Sequence, residues 1–157
     1  MGGKNGLGDV FSIKTNGSGF KDLLDFNDTN GRNPFLNSLL LSGKTLYGMT
    51  EQGGVPYKFG NIFSIDTNGS GYKNLYTFIG SNGKDPSGSL IISGNTLFGM
   101  TPGGGVNNYG LIFSIHTDGS GYKDLFDFNN TNGNGGLGSL LLSGHKIYGM
   151  TNQRRNQ

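Results

Sequence analysis

The chain has 157 residues, a net charge of +2 and no cysteine. Disulfides and thiolate metal sites are thereby excluded, and bulk charge implies neither nucleic acid nor an anionic membrane as partner. Gly supplies 31 residues, close to three times the usual share. Apolar runs nevertheless recur in register between the glycines, which argues for many short strands joined by turns; no apolar stripe of helical period survives. No apolar run has the length of a membrane span. The opening MGGKNGLGDV lacks the apolar stretch of a secretory signal, so an exported protein would carry its signal outside this sequence.

In chain order, the first predicted strand is VFSIKT at 10–15 and the second KDLLDF at 21–26. Then come SLLLS at 38–42 and TLYGMT at 45–50, joined by a tight turn. The pattern returns. Residues 61–67 (NIFSIDT), the turn 68–71, and 72–79 (YKNLYTFI) are followed by a polar loop at 80–88, SLIIS at 89–93, the turn Gly94-Asn95, TLFGMT at 96–101 and a Gly-rich loop at 102–110. A third copy runs through LIFSIHT and KDLFDF to SLLLSGHKIYGMT. Phe11 recurs as Phe63 and Phe113, a period of 52 and then 50 residues. Asn-Gly and Asp-Gly between β-rich runs are hairpin signals, because both residues tolerate positive φ. Four antiparallel strands per repeat of this length predict an all-β chain of β-propeller blades. SLLLS and its copies are apolar on both faces, which suits a deep inner strand. KDLLDF alternates and carries charge, which suits an exposed outer edge. The expected order across a blade is SLLLS, TLYGMT, FSI, KDLLDF.

The string LYGMT, Gly-Gly, loop, G-x-IFSI-x-T-x-GSG and KxLxxF resembles the Gloeo/Verruco tandem repeat of bacterial propeller-like proteins. The matching residues are Tyr47-Gly48-Met49-Thr50 with Gly53-Gly54, and Phe98-Gly99-Met100-Thr101 with Gly103-Gly104. The layout is also similar to kelch blades, although the outer-strand Trp typical of kelch is missing, as the chain has no Trp. The first resemblance covers essentially the whole chain and implies an extracellular or cell-surface bacterial β-propeller with no particular activity.

The phase of the repeats divides the chain into an outer half-blade and loop (1–37), full blades at 38–88 and 89–138, and an inner half-blade with tail (139–157). Each end supplies what the other lacks. The expectation is a ring closed by oligomerisation, with the strand of Phe11 and Ile13 pairing in trans with the strand of Ile147, Tyr148 and Met150 of another copy. A homodimer would make six blades and a homotrimer nine.

Propeller topology would place both long loops of each blade on one face, and these are where the copies diverge. Tyr57 and Tyr109 are the candidate ligand contacts, with Asn108, Asn33 and Asp85 beside them, because exposed aromatics with neighbouring amides suit a glycan or peptide. The competing reading packs each Tyr onto the next blade. Asp66 to Gly71 (DTNGSG) superficially resembles a calcium loop, but its copies begin with Lys14 and His116, so a hairpin turn accounts for it better. Asp25, Asn27 and Asp28 form an oxygen cluster that the middle copy lacks, so neither metal nor cofactor is expected. His116 and His145 each occur in one copy only, no Ser-His-Asp order or nucleophile elbow is present, and of the acidic residues Glu51 and Asp85 lie on the long-loop face but neither recurs. The expected function is therefore a non-enzymatic, self-associating binding or structural scaffold. The alternatives are a lectin-like module, and a designed or excised repeat protein with no native ligand.

Overall fold

The computed structural model describes residues 2–151. Fourteen strands and no helix occur among them: β1 (Asp9–Ser12), β2 (Lys21–Asp25), β3 (Asn37–Ser38), β4 (Leu40–Ser42), β5 (Thr45–Thr50), β6 (Asn61–Asp66), β7 (Lys73–Thr77), β8 (Gly88–Ser89), β9 (Ile91–Ser93), β10 (Thr96–Thr101), β11 (Leu111–His116), β12 (Lys123–Asp127), β13 (Leu141–Ser143) and β14 (Lys146–Tyr148). Two four-stranded antiparallel sheets, in the order β4-β5-β6-β7 and β9-β10-β11-β12, form the middle of the chain. The pairs β1-β2 and β13-β14 are two-stranded sheets at either side. Strands β3 and β8 run parallel, joining the first residues of successive repeats.

Turn chemistry produces this pattern. The Asn68-Gly69 turn between β6 and β7 uses the Asn68 carboxamide oxygen to accept from the Ser70 amide and hydroxyl, while the Ser70 carbonyl accepts from the Asp66 amide at 2.9 Å. Asn16 and Asp118 make the same bonds in their copies. The Asp66 to Gly71 segment is thus a hairpin turn in which the side-chain oxygens of Asn68 and Ser70 are engaged within the turn.

The strand FSI runs beside its KDLLDF-type strand through a β-bulge in every copy. Val10 pairs with Leu24 but Phe11 with Asp22; Ile62 pairs with Tyr76 but Phe63 with Asn74; Ile112 pairs with Phe126 but Phe113 with Asp124. Leu23, Leu75 and Leu125 are the extra residues. The Asp22 carboxylate accepts from the Leu24 amide at 3.2 Å, bridging the first bulge. Strict alternation therefore fails in this strand. The expected exposed outer edge is half right: Lys73 and Asn74 face solvent, whereas Leu23, Leu75, Phe26 and Phe78 are buried. The bulge lets a leucine that alternation would turn outward face the core.

The apolar run SLLLS also departs from expectation. Leu90 and Leu140 are buried, but Leu39, Leu41 and Leu141 are exposed. Burial peaks instead at the centre of each sheet and between sheets. One cluster joins Val10, Leu23 and Phe26 to Phe63 and Ile65. The next joins Tyr47, Met49, Ile62 and Phe78 to Leu90, Leu97, Phe113 and Ile115. The SLLLS strand lies at the edge of its sheet; its second residue is buried in two copies, Leu90 and Leu140, while Leu40 and Ile92 pack partly buried against the core.

Candidate functional site

The long loops connect β5 to β6, β7 to β8 and their copies, at the end of the sheets opposite the tight turns. Their backbone is fixed by a repeated set of bonds. The Asn5 side chain donates to the Phe26 carbonyl at 2.8 Å, and Asn107 does the same to Phe128 at 3.1 Å. Asp25 and Asp127 each accept a backbone amide from the facing loop, from Lys4 and Val106 respectively. In the next segment, Asn27 accepts from the amides of Thr29 and Asn30, and Asn30 from that of Asn27; Asn129, Thr131 and Asn132 repeat this arrangement. The oxygen cluster around Asp25 and Asn27 is accordingly a loop tether. Among the described residues, no three His, Cys, Asp or Glu side chains group to hold a metal ion.

Asn33 and Asp85 occupy equivalent positions, and their recurrence has a backbone cause. Asn33, Asp85 and Gly135 have φ of 53°, 56° and 50°, the left-handed region that Asn, Asp and Gly tolerate best. Their amides donate to the carbonyls of Leu7, Phe59 and Tyr109 at 2.9, 3.0 and 2.9 Å. The Asn33 side chain donates to Glu51 Oε2. Burial raises the Glu51 carboxyl above its ordinary value, with the nearby Asp85 charge adding to the shift. On the same face Lys58 Nζ stands 2.6 Å from Asp28 Oδ2, and Arg32 Nε 3.4 Å from Oδ1. This holds Asp28 below its ordinary value, chiefly through the bond to Lys58.

The predicted ligand residues are spread over several places on the loops, with Asn108 and Tyr109 sharing one cavity and Asn33 lining another. Tyr57 is exposed on the β5–β6 loop. Asn108 and Tyr109 line a cavity of about 210 Å³ with Lys84, Pro102, Asn107 and Asn134. Asn33 lines a separate one of about 380 Å³ with Leu7, Arg32, Pro34 and Gln52. Within the first of these, the Asn108 side chain already accepts from the Gly104 amide at 3.3 Å.

A different feature repeats with closer geometry: the boundary between one sheet and the next. Phe63 meets Phe26 edge to face, with centroids 5.5 Å apart at 72°. Phe113 meets Phe78 at 5.5 Å and 65°. The Tyr72 hydroxyl donates to the Asn30 carbonyl at 2.9 Å, and that of Tyr122 to Asn82 at 2.7 Å. Tyr122 also stacks flat on Tyr76, 3.9 Å away. The turn glycines Gly69 and Gly119 sit against the backbone of Leu23 and Leu75, whereas Gly17 meets nothing within 4 Å.

At the two outer faces the same residue types stand open. Phe11 is 53% exposed, against 1% for Phe63 and 0% for Phe113. Leu125 is 45% exposed, against 8% for Leu23 and 9% for Leu75. Met150 is 78% exposed, against 1% for Met49 and 2% for Met100. Ile13, Phe20, Phe126 and Tyr148 are exposed as well, and Ile147 is half-buried. Phe20 stands where the other copies have Tyr72 and Tyr122, and stacks on Phe11 at 5.5 Å. The sequence reading named Phe11, Ile13, Ile147, Tyr148 and Met150; it missed Phe20, Leu125 and Phe126, which alignment with Tyr72, Leu75 and Tyr76 would have flagged.

No curated protein matches the chain. The profile of the Gloeobacter/Verrucomicrobia repeat matches residues 1–157, and the chain belongs to that family.

Proposed function

We propose that the chain is an arc of β-propeller blades that associates head to tail with further copies of itself into a closed ring, acting as a non-catalytic binding or structural scaffold. The two four-stranded sheets are the full blades, and β1-β2 and β13-β14 are complementary halves of one more. In this reading β14 of one copy pairs with β1 of the next, as β5 pairs with β6 and β10 with β11. The supporting observation is the contrast in burial between equivalent residues. An apolar side chain such as Phe11 contributes roughly 1.5–3 kcal/mol when fully buried, and both outer faces hold several. A head-to-tail contact closes into a ring when its rotation divides a full turn.

Light scattering coupled to size-exclusion chromatography tests this. The expected mass is two or three times 16.6 kDa. A 16.6 kDa species at all concentrations contradicts the proposal.

A second reading, a lectin-like module, draws on the cavity of about 210 Å³ that joins Tyr109 to Lys84, Asn107 and Asn134. A half-buried aromatic among amides and a cation suits a sugar ring. Glycan-array binding lost in Tyr109→Ala would support it, and silence across a broad array would count against it.

A further inference from the structure

The glycine in the LYGMT motif has a physical cause that exposes a socket. Gly48 lies directly opposite Phe63 across the β5–β6 pair, and Gly99 opposite Phe113 across β10–β11. A Cβ on Gly48 would stand 2.6 Å from the tip of the Phe63 ring, and one on Gly99 2.5 Å from that of Phe113. Each ring lies on a bare strand and meets the preceding sheet's Phe at its edge. The glycine is the floor on which the ring rests.

Gly149 is the third copy of this floor, and no ring lies on it. A Cβ there would meet only the end of the Leu140 side chain, at 2.9 Å. Above it is a cavity of about 220 Å³ lined by Met100, Ile112, Phe128, Leu140, Gly149 and Met150. Phe128 stands where Phe26 and Phe78 stand in the other copies. Each internal floor is filled by the Phe of an FSI strand, and Phe11 is the FSI phenylalanine left exposed. Phe11 and Gly149 are open in the same chain, so the chain does not fill the socket itself.

We propose that the cavity over Gly149 is the socket for Phe11 of a second copy, whose ring lies on Gly149 with its edge to Phe128. This rests on the head-to-tail assembly proposed above and names the contact that sets its register. The surface continues the boundary that the chain makes twice within itself, which is why the occupant is another copy of this chain. Leu39 and Met49, at the other face, line the reciprocal cavity of about 230 Å³ beside Phe11, where Tyr148 and Met150 of that neighbour would seat.

The test compares wild type, Gly149→Ala and Phe11→Ala by sedimentation equilibrium across a wide concentration range. Gly149 is outside the left-handed region, and the one group a methyl would meet is the far end of the Leu140 side chain, which has to shift slightly, so the isolated chain keeps its circular dichroism and loses little in thermal midpoint. Association of either variant should require at least tenfold higher concentration, a contact loss of about 1.4 kcal/mol or more. Phe11→Ala serves as the independent arm, because its side chain is exposed in the single chain. If wild type associates and both variants associate at the same concentration, the socket is wrong while assembly stands. If wild type does not associate at all, the assembly reading falls and the socket with it.

Discussion

The interior sheet boundaries and the two outer faces are built largely from the same side chains, Phe20 in place of Tyr72 and Tyr122 being an exception, and differ chiefly in whether a neighbour is present. Phe63 and Phe113 are sealed between sheets, each with its ring on a glycine and its edge on another phenylalanine; Phe11, of the same motif, is open to water. Leu23 and Leu75 lie under the turn of the following copy, while Leu125 has no turn above it. Stability in a repeat array is approximately a sum of unit and nearest-neighbour terms. The comparison shows how much of the core belongs to the neighbour terms. The two open faces carry Phe11, Ile13, Phe20, Phe126 and Met150.

The comparison breaks most visibly at the phenylalanines. Phe113→Ala should cost about 3–5 kcal/mol in chemical denaturation, because it empties a fully enclosed site. Phe11→Ala, measured in dilute solution, should change stability by less than about 0.5 kcal/mol. Equal losses would mean that the outer face is not open. A smaller effect sharpens the picture at the Tyr ladder. Tyr122→Phe removes the donor to the Asn82 carbonyl, and should cost about 1 kcal/mol. The Phe20→Tyr change restores the hydroxyl of the other copies and should leave the dilute chain unaltered while strengthening association, read from the concentration dependence of mass.

The smallest effect concerns pH. Asp28 is held below its ordinary value, so the folded chain binds fewer protons there than the unfolded chain. Its contribution is present above the ordinary value near 3.8 and is lost as pH falls through the lower folded value. Because Lys58 and Arg32 are partly exposed, the contribution should stay under about 1 kcal/mol and shrink with salt. Asp28→Asn should flatten that part of the acid limb in thermal unfolding from pH 5 to 2; an unchanged limb would show that the ion pair contributes nothing.

Strand positions and their order within each sheet were legible because Asn-Gly turns and apolar runs punctuate every copy. The bulge was not, since Leu23 and Leu24 look alike in sequence and only the pairing of Phe11 with Asp22 reveals which is the extra residue. Two of the long-loop candidates carry a backbone role that the sequence did not disclose, for a related reason. Asn33 and Asp85 recur as residues that tolerate positive φ, a backbone demand indistinguishable in sequence from a preference for a polar contact. The glycine of LYGMT reads as a loose strand position until the ring that lies on it is seen. The exposure of Phe11, by contrast, was legible from its copies alone.

Amide hydrogen exchange resolved along the chain, from dilute to concentrated protein, tests self-closure most directly. In dilute solution β5 and β6 should be protected while β1 and β14 exchange fast. At concentrations where the mass rises, the Phe11 to Ile13 amides and those of β14 should gain protection approaching that of Phe63 to Ile65. Association that leaves β1 and β14 exchanging as fast as in the dilute chain would contradict pairing of these two strands across copies.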